Sequence, residues 1–242
     1  MNPSFNEDDI SQIPALLLLQ ALGYTYLSPT EALKLRGGKT SNVLLEEVLR
    51  EKLQKDNTFK YKERTYQFSE TNISNAIFAL QEYPLQEGYM ASNKYLYDLL
   101  TLGKSFEETI LGDRKSYTLQ YIDWKNPQNN VFHVTEELSV QRSNRSDTFR
   151  PDIVLYINGI PLVVIECKSP KIDHPLQQAI SQHLRNQNDD GIRALYVFSQ
   201  MCIGLSDNVA QYATTATKEE FWGAWREQHL NRRGEDNYKK NL

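Results

Sequence analysis

Residues 150–170 read RPDIVLYINGIPLVVIECKSP, and this stretch decides the fold. Two apolar runs, DIVLYI and IPLVVIEC, flank Asn158-Gly159, the dipeptide that most strongly favours a two-residue β-hairpin turn. Neither run alternates apolar with polar residues, which is typical of strands covered on both faces. The stretch therefore predicts a central hairpin inside an α/β protein.

The flanking sequence predicts helices before Gly112 and mainly strands after it, from apolar spacing and from start and stop signals. The predicted helices are PALLLLQALGY, a segment opened by the Ser28–Glu31 capping box, VLLEEVLREKLQK capped by Ser41, NAIFALQ, NKYLYDLL, PLQQAISQHLRNQ and EEFWGAWRE. Besides the central hairpin and a small TFKYKERTYQF hairpin, the predicted strands are KSYTLQYID, NVFHVTEELSV and ALYVFS.

We therefore expect an α/β fold with a mixed β-sheet core flanked by helices and an N-terminal helical region. The corresponding division is residues 1–112 for the helical region packed on the core, 113–212 for the core, and 213–242 for a C-terminal helix and a polar tail. A chain of 242 residues is long enough to bury such a core.

The bulk composition indicates a cytoplasmic protein. No apolar run approaches the roughly 20 residues of a membrane span, and two cysteines make no disulfide framework. The formal charge of −4 does not indicate a nucleic-acid binder, so any contact with phosphates must come from local patches. The four histidines are too scattered for a zinc cluster.

Three charged residues stand at the margins of the central hairpin. Asp152 precedes its first strand, and Glu166 and Lys168 follow the apolar part of its second strand. Two carboxylates at one sheet edge would make an oxygen-rich site that suits Mg²⁺, and a nearby lysine could orient a water molecule. The simpler interpretation is that these charges are strand ends in water. The combination of Pro-Asp, a hairpin and Glu-x-Lys favours the metal site.

The register of the hairpin decides whether the carboxylates can meet. A strict two-residue turn at Asn158-Gly159 would pair Asp152 with Ile165 and send Glu166 to the opposite face. Some device must therefore shift the register. We expect a three-residue loop with Gly159 as a G1 bulge, or, as the alternative, an Asp152 that lies beyond the regular ladder.

Pro151-Asp152 followed by Glu166-Cys167-Lys168 is the PD-(D/E)xK nuclease signature. With LGYTYLSP, YIDWKNPQNNVFHVTEELSV, AISQHLRNQ and YATTATKEEFWGAW, the chain resembles the N-terminal nuclease domain of the motor (R) subunit of type I restriction enzymes. The resemblance implies a restriction-endonuclease-like fold and a Mg²⁺-dependent DNA endonuclease in which Mn²⁺ can substitute. It implies that Asp152, Glu166 and the Cys167 carbonyl ligate the metal, with Lys168 beside the attacking water.

Related nucleases carry a Gln-xxx-Tyr element on the next helix and often an acid from the first helix. Gln182 matches the first of these and is a candidate catalytic residue that could contact the lysine region or DNA; a polar helix face is the competing interpretation. Asn186 stands where the tyrosine would be. Glu7 is the candidate accessory acid, although an ordinary helix-start acid explains it as well. Candidate phosphate contacts, which could equally be a solvated loop, are Arg150, Lys171 and Arg185, with Arg142 and Arg145 nearby.

The resemblance also implies partners: DNA, and the methyltransferase and specificity subunits of a type I complex. It implies that ATP serves only a motor domain, whose phosphate-loop motif this chain lacks, so that residues 213–242 lead towards that missing part. Two alternatives remain. The chain could be a non-catalytic docking module of the same complex, or a free-standing repair nuclease.

Overall fold

The computed structural model describes residues 11–207 and 209–226. Its α-helices are α1 (Ile13–Ala21), α2 (Pro29–Leu35), α3 (Glu46–Asp56), α4 (Glu70–Gln81), α5 (Tyr89–Leu102), α6 (Pro175–Gln187) and α7 (Arg193–Phe198). Its strands are β1 (Thr25–Leu27), β2 (Thr58–Tyr61), β3 (Arg64–Gln67), β4 (Lys104–Ile110), β5 (Asp113–Leu119), β6 (Phe132–Glu136), β7 (Val140–Gln141), β8 (Thr148–Phe149), β9 (Ile153–Ile157), β10 (Ile160–Cys167), β11 (Met201–Ser206), β12 (Val209–Ala213) and β13 (Gly223–Ala224). Within these residues, no helix is both long and apolar enough to cross a bilayer.

A seven-stranded mixed sheet in the order β1-β6-β9-β10-β11-β12-β13 forms the centre of the molecule. The pairs β1/β6 and β10/β11 are parallel, and the other neighbouring pairs are antiparallel. A parallel pair requires a crossover, and α6 and α7 supply it between β10 and β11. The expected mixed sheet flanked by helices, as in restriction-endonuclease-like folds, is confirmed.

The central hairpin β9/β10 is covered on both faces, as its continuous apolar sequence predicts. α6 and α7 pack on β10 on one side, within the larger apolar core that also includes α3, α4 and α5. α1 covers the other side with a smaller core that includes Leu16 and Val134. Alternation along the strands assigns Val154, Tyr156 and Val164 to the larger core and Ile153, Leu155 and Ile165 to the smaller one.

The hairpin turn has two residues, so the predicted three-residue loop is wrong. Ile157 pairs with Ile160, and Asn158 and Gly159 both have positive φ (52° and 82°), as a type I′ turn requires. The turn is buried against α3: the Gly159 carbonyl accepts a hydrogen bond of 2.9 Å from Leu45 N–H. A Cβ at Gly159 would lie 2.6 Å from the Leu45 carbonyl oxygen, so only glycine fits.

A β-bulge in β10 supplies the register shift instead. Tyr156 pairs with Pro161, but the next residue of β9, Leu155, pairs with Val163. Leu162 is therefore the extra residue, and its carbonyl accepts a hydrogen bond of 2.8 Å from Gln200 N–H in the loop before β11. Beyond the bulge Ile153 pairs with Ile165, so the next positions along the two strands are Asp152 and Glu166.

Two of the predicted elements after residue 190 are wrong. ALYVFS, predicted as a strand, lies in α7, where Leu195, Tyr196, Val197 and Phe198 are all buried. A short, wholly apolar run fits a buried helix as well as a buried strand, and the strand beside β10 is the following segment, β11.

EEFWGAWRE, predicted as a helix, forms a 3₁₀ turn at Glu219–Phe221 and then β13. Trp222 is buried and Trp225 is 54% exposed, as alternation along an extended chain requires for residues three apart. Other differences are smaller. NVFHVTEELSV is split into β6 and β7, and Leu45 rather than Ser41 is the N-cap of α3. The strands β1, β4, β8 and β12 were not predicted.

The proposed domain division stays a prediction. Gly112, the boundary suggested by composition, lies in the turn between β4 and β5. The N-terminal region also contributes β1 to the main sheet, and the larger core extends from Ala32 to Trp222.

Candidate active site

The carboxylates of Asp152 and Glu166 lie at the same end of the central hairpin. Pro151 and Asp152 immediately precede β9, and Glu166 is the penultimate residue of β10. The Asp152 Oδ2 atom accepts a hydrogen bond of 2.6 Å from Cys167 N–H, which holds the aspartate against the end of β10. The bulge at Leu162 thus brings together two carboxylates that an unbroken ladder would place on opposite faces.

The environment of Glu166 disfavours its negative charge. The residue is fully buried, and burial followed by the negative charge of Asp152 raises the pKa of Glu166 well above its ordinary value. The nearby cations Lys168 and Arg185 oppose this rise without cancelling it. A buried carboxylate beside a second carboxylate requires either a proton or an added cation.

Lys168 completes the group of charges predicted from the sequence. Its Nζ atom lies 3.0 Å from the Cys167 carbonyl oxygen and 3.8 Å from Asp152 Oδ2. The side chain is 12% exposed, so the ammonium group is largely screened from solvent. The backbone at Lys168 is held by Leu205 O, which accepts from its N–H at 2.8 Å, and by Ser11 Oγ, which donates to its carbonyl at 2.9 Å.

Two amides of α6 hold the Glu166 carboxylate. Gln182 Nε2 donates to Oε2 at 2.5 Å, and Asn186 Nδ2 donates to Oε1 at 3.1 Å. The two residues are four positions apart and therefore share a face of the helix. The helix can lie this close to the sheet because Gly204 of β11 has no side chain: a Cβ there would be 3.1 Å from Ala179 Cβ. The residue that departs from the Gln-xxx-Tyr pattern thus contacts the same carboxylate as the residue that matches it.

The basic residues near the site fall into two groups. Arg150, Lys171 and Arg185 are exposed. Arg185 lies over the Phe149 ring, with its Cζ 5.1 Å from the centroid. Arg142 and Arg145 form ion pairs with acids of the same chain, Asp147 at 2.8 Å and Asp190 at 2.9 Å respectively.

The candidate accessory acid Glu7 lies outside the described residues. Another acid stands at this end of the sheet: Gln12 Nε2 lies 3.3 Å from Glu136 Oε2 and 3.4 Å from the Asp152 carbonyl oxygen. Tyr26 donates to Glu136 Oε1 at 2.6 Å, and this hydrogen bond is the main reason that the pKa of Tyr26 rises to about 12. The predicted strand NVFHVTEELSV contained Glu136 in its interior, whereas β6 ends at this residue. Nothing in the sequence indicated the partners of Glu136.

Comparison with known proteins agrees with the geometry. The family described as type I restriction enzyme R protein N terminus matches residues 4–221. The chain belongs to this family.

The HindI endonuclease subunit of Haemophilus influenzae, a type I restriction enzyme, is 29% identical over 226 residues, which is 91% of this chain and 20% of the relative. The SauCOLORF180P type I endonuclease subunit of Staphylococcus aureus is 34% identical over 131 residues, covering 48% of this chain and 13% of the relative. The chain thus spans about one fifth of the length of the Haemophilus relative.

The donor atoms of this R-protein N-terminal chain fit a hard divalent cation. In residues 11–207 and 209–226, no group of three or more His, Cys, Asp or Glu side chains could hold a metal ion, so a third donor from these residues would be a backbone oxygen. The Cys167 carbonyl oxygen, the third ligand that the resemblance implies, lies 3.0 Å from the Lys168 ammonium and could serve as such a backbone donor. The Cys167 side chain is buried in the smaller core under α1, away from the Glu166 side of the sheet. Two carboxylates and a carbonyl are ligands that suit Mg²⁺ and Mn²⁺.

Proposed function

We propose that this chain is the endonuclease domain of a type I restriction enzyme R subunit and hydrolyses DNA phosphodiesters in a Mg²⁺-dependent reaction without reading sequence. The observation that carries the proposal is the proximity of Asp152 to a fully buried Glu166, with Lys168 beside Asp152. Burial of an unneutralised carboxylate pair costs free energy, which a bound cation would offset. That cost supports a metal site over a non-catalytic docking module.

Each residue of the site would have a distinct role in the hydrolysis. Asp152, Glu166 and the Cys167 carbonyl would hold Mg²⁺, with Gln182 fixing one Glu166 oxygen at 2.5 Å. When bound, the ion supplies charge neutralisation at the phosphate and lowers the pKa of a coordinated water. The Lys168 ammonium, mobile on its four-carbon stem, would orient the attacking water near Asp152.

Substrate contact would rest on phosphates rather than bases. The basic side chains that remain exposed at this end of the sheet, Arg150, Lys171 and Arg185, would bind the DNA backbone. Choice of target would belong to the specificity subunit of the complex, and ATP would serve a motor domain that is not part of these 242 residues. The methyltransferase subunit would be a further partner of the full-length protein.

Cleavage of supercoiled plasmid with Mg²⁺ or Mn²⁺ tests this assignment. Asp152→Asn and Glu166→Gln should each abolish nicking and the calorimetric heat of Mn²⁺ binding, whereas Lys168→Met should lower nicking by about 10²-fold or more and keep Mn²⁺ binding. Glu107→Gln is the matched control, because Glu107 is a 55% exposed carboxylate on the β4/β5 hairpin. Mn²⁺ binding that survives loss of either carboxylate would refute the metal site.

A further inference from the structure

A chain of buried polar side chains leads away from Glu166 on the side opposite Asp152. Asn186, Tyr196 and His183 belong to α6 and α7, and each is at most 1% exposed. Tyr196 Oη lies 2.8 Å from His183 Nδ1, and His183 Nε2 lies 3.0 Å from the Ile203 carbonyl oxygen. The Asn186 amide donates to the Glu166 carboxylate at 3.1 Å. It also acts on the pKa of the Tyr196 hydroxyl as a hydrogen-bond donor, opposing the rise that burial causes.

The hydrogen atoms in this series of hydrogen bonds can be assigned by starting at the Ile203 carbonyl. A backbone carbonyl only accepts, so His183 Nε2 carries the proton and Nδ1 is left with a lone pair. Tyr196 must then donate its hydroxyl proton to Nδ1, and its oxygen is free to accept from Asn186. Asn186 consequently directs both amide hydrogens outward, one to Tyr196 and one to Glu166. Every donor in the series has one acceptor, and the direction is fixed by Ile203 O.

The direction of these hydrogen bonds determines which atom of the Asn186 amide faces the Glu166 carboxylate. An asparagine amide that rotates by half a turn would present its oxygen to Glu166 and repel it. The Tyr196 hydroxyl, locked by His183, prevents that rotation. Together with Gln182, Asn186 then holds each oxygen of Glu166 in one place and leaves a lone pair on each for another partner.

We propose that Asn186, Tyr196 and His183 are positioning residues that fix the Glu166 carboxylate for a divalent cation, a role that rests on the proposed metal-dependent function. None of the three is a ligand or contacts the reacting atoms. They act through Glu166, as outer partners of metal ligands do, and such partners typically contribute 10- to 100-fold in metal affinity.

Tyr196→Phe tests the proposal, because it removes one hydroxyl and keeps the buried ring. Mn²⁺ affinity measured by calorimetry should fall about tenfold or more. Tyr121→Phe is the matched control: Tyr121 is also buried and donates to the Ala76 carbonyl at 2.7 Å, but it lies among the N-terminal helices. Its Mn²⁺ affinity should equal that of the wild type, although both variants lose a buried hydrogen bond.

A second variant makes the result independent of how well Tyr196→Phe folds. Asn186→Leu removes both amide donors at similar volume and should weaken Mn²⁺ binding by itself. Because Tyr196 acts through Asn186, the double variant that combines Tyr196→Phe with Asn186→Leu should bind Mn²⁺ no more weakly than Asn186→Leu alone.

Suppose that Mn²⁺ binding by the wild type requires Glu166 but that Tyr196→Phe or Asn186→Leu binds Mn²⁺ with unchanged affinity. That result would overturn the positioning role and leave the proposed function standing. Additive losses in the double variant would also overturn it. Wild-type Mn²⁺ binding that is insensitive to Glu166→Gln would instead remove the proposed function, and the positioning role with it.

Discussion

At the scale of single residues, Glu166 is the group whose chemistry departs most from its behaviour in water. It is fully buried, and its neighbour Asp152 carries the same charge. Gln182 and Asn186 fix its geometry but bring no positive charge. The raised pKa of Glu166 therefore favours either a proton or a partner that supplies positive charge.

The raised pKa of Glu166 predicts how the free energy of unfolding changes with pH in a buffer that contains a chelator. Unfolded Glu166 ionises near pH 4.5, whereas folded Glu166 holds its proton to higher pH. Its contribution to folding is thus complete below pH 4.5 and is lost as the pH rises towards the folded pKa, at about 1.4 kcal/mol per unit of pKa difference. Glu166→Gln should therefore gain stability relative to the wild type as the pH rises above 4.5.

Urea unfolding of both proteins between pH 4.5 and 8 measures this difference. Buried His183, whose pKa falls to about 4, destabilises the fold as the pH drops below 6.5, so the comparison above pH 6.5 is free of its titration. Addition of Mn²⁺ should then stabilise the wild type and leave Glu166→Gln unchanged. A stability difference that is flat with pH would show that Glu166 ionises normally in the folded protein.

At the scale of elements, the packing of α6 on β11 sets the distance between the amides and Glu166. Gly204 pairs with Glu166 across β10 and β11 and lies directly under Ala179 of the helix. The helix therefore contacts the sheet about one turn before Gln182. A small displacement at this contact would move the side-chain amides of Gln182 and Asn186 relative to Glu166.

Gly204→Ala should lift this helix and weaken Mn²⁺ binding. Its new Cβ would lie 3.1 Å from Ala179 Cβ, so the helix must move by a few tenths of an ångström. We expect Mn²⁺ affinity, measured by calorimetry, to fall several-fold, up to about tenfold. Gly223→Ala is the control, since its Cβ would meet the Tyr212 ring at an ordinary 3.5 Å. Equal affinities in the two variants would contradict a close-packed helix as the support of the site.

The central hairpin and its charges were predictable because each carries a local signal. Asn158-Gly159 specifies the turn, continuous apolar runs specify covered strands, and the need for a shared face required a register shift. The position of the bulge also had a signal that we did not use: Pro161 lies in a central strand, where proline is found essentially only at bulges. Asn186 and Tyr196 could not be assigned, because their roles depend on how α6 and α7 pack over the sheet.

At the scale of the whole molecule, the acidic balance of the chain would limit the DNA binding that the proposed function requires. The net charge is −4, and Arg142 and Arg145 near the site are already paired with acids. The exposed cations that are candidates for phosphate contacts are Arg150, Lys171 and Arg185. Binding by so few contacts should be weak and should depend on salt in proportion to their number.

We therefore expect log K for duplex DNA to fall with log salt at a slope of about −3, since each phosphate contact contributes about 0.9. Lys171→Ala should reduce that slope by about one, whereas Lys94→Ala, an exposed lysine paired with Asp98 on α5, should leave it unchanged. Fluorescence anisotropy with duplexes of two unrelated sequences measures both slope and sequence preference. A tenfold preference for one duplex would contradict binding through phosphates alone.

The bulge at Leu162 should affect how the gene tolerates the loss or gain of single codons in β10. Loss of any one codon from 162 to 165 would turn β10 into an unbroken ladder and still leave Glu166 opposite Asp152. Gain of one codon in the same interval would place Ile165 opposite Asp152 and turn Glu166 to the other face. In a library of in-frame changes scored for plasmid nicking at low temperature, single deletions here should survive more often than single insertions. The strand therefore carries one spare residue, and its gene should tolerate shortening at a place where it does not tolerate lengthening.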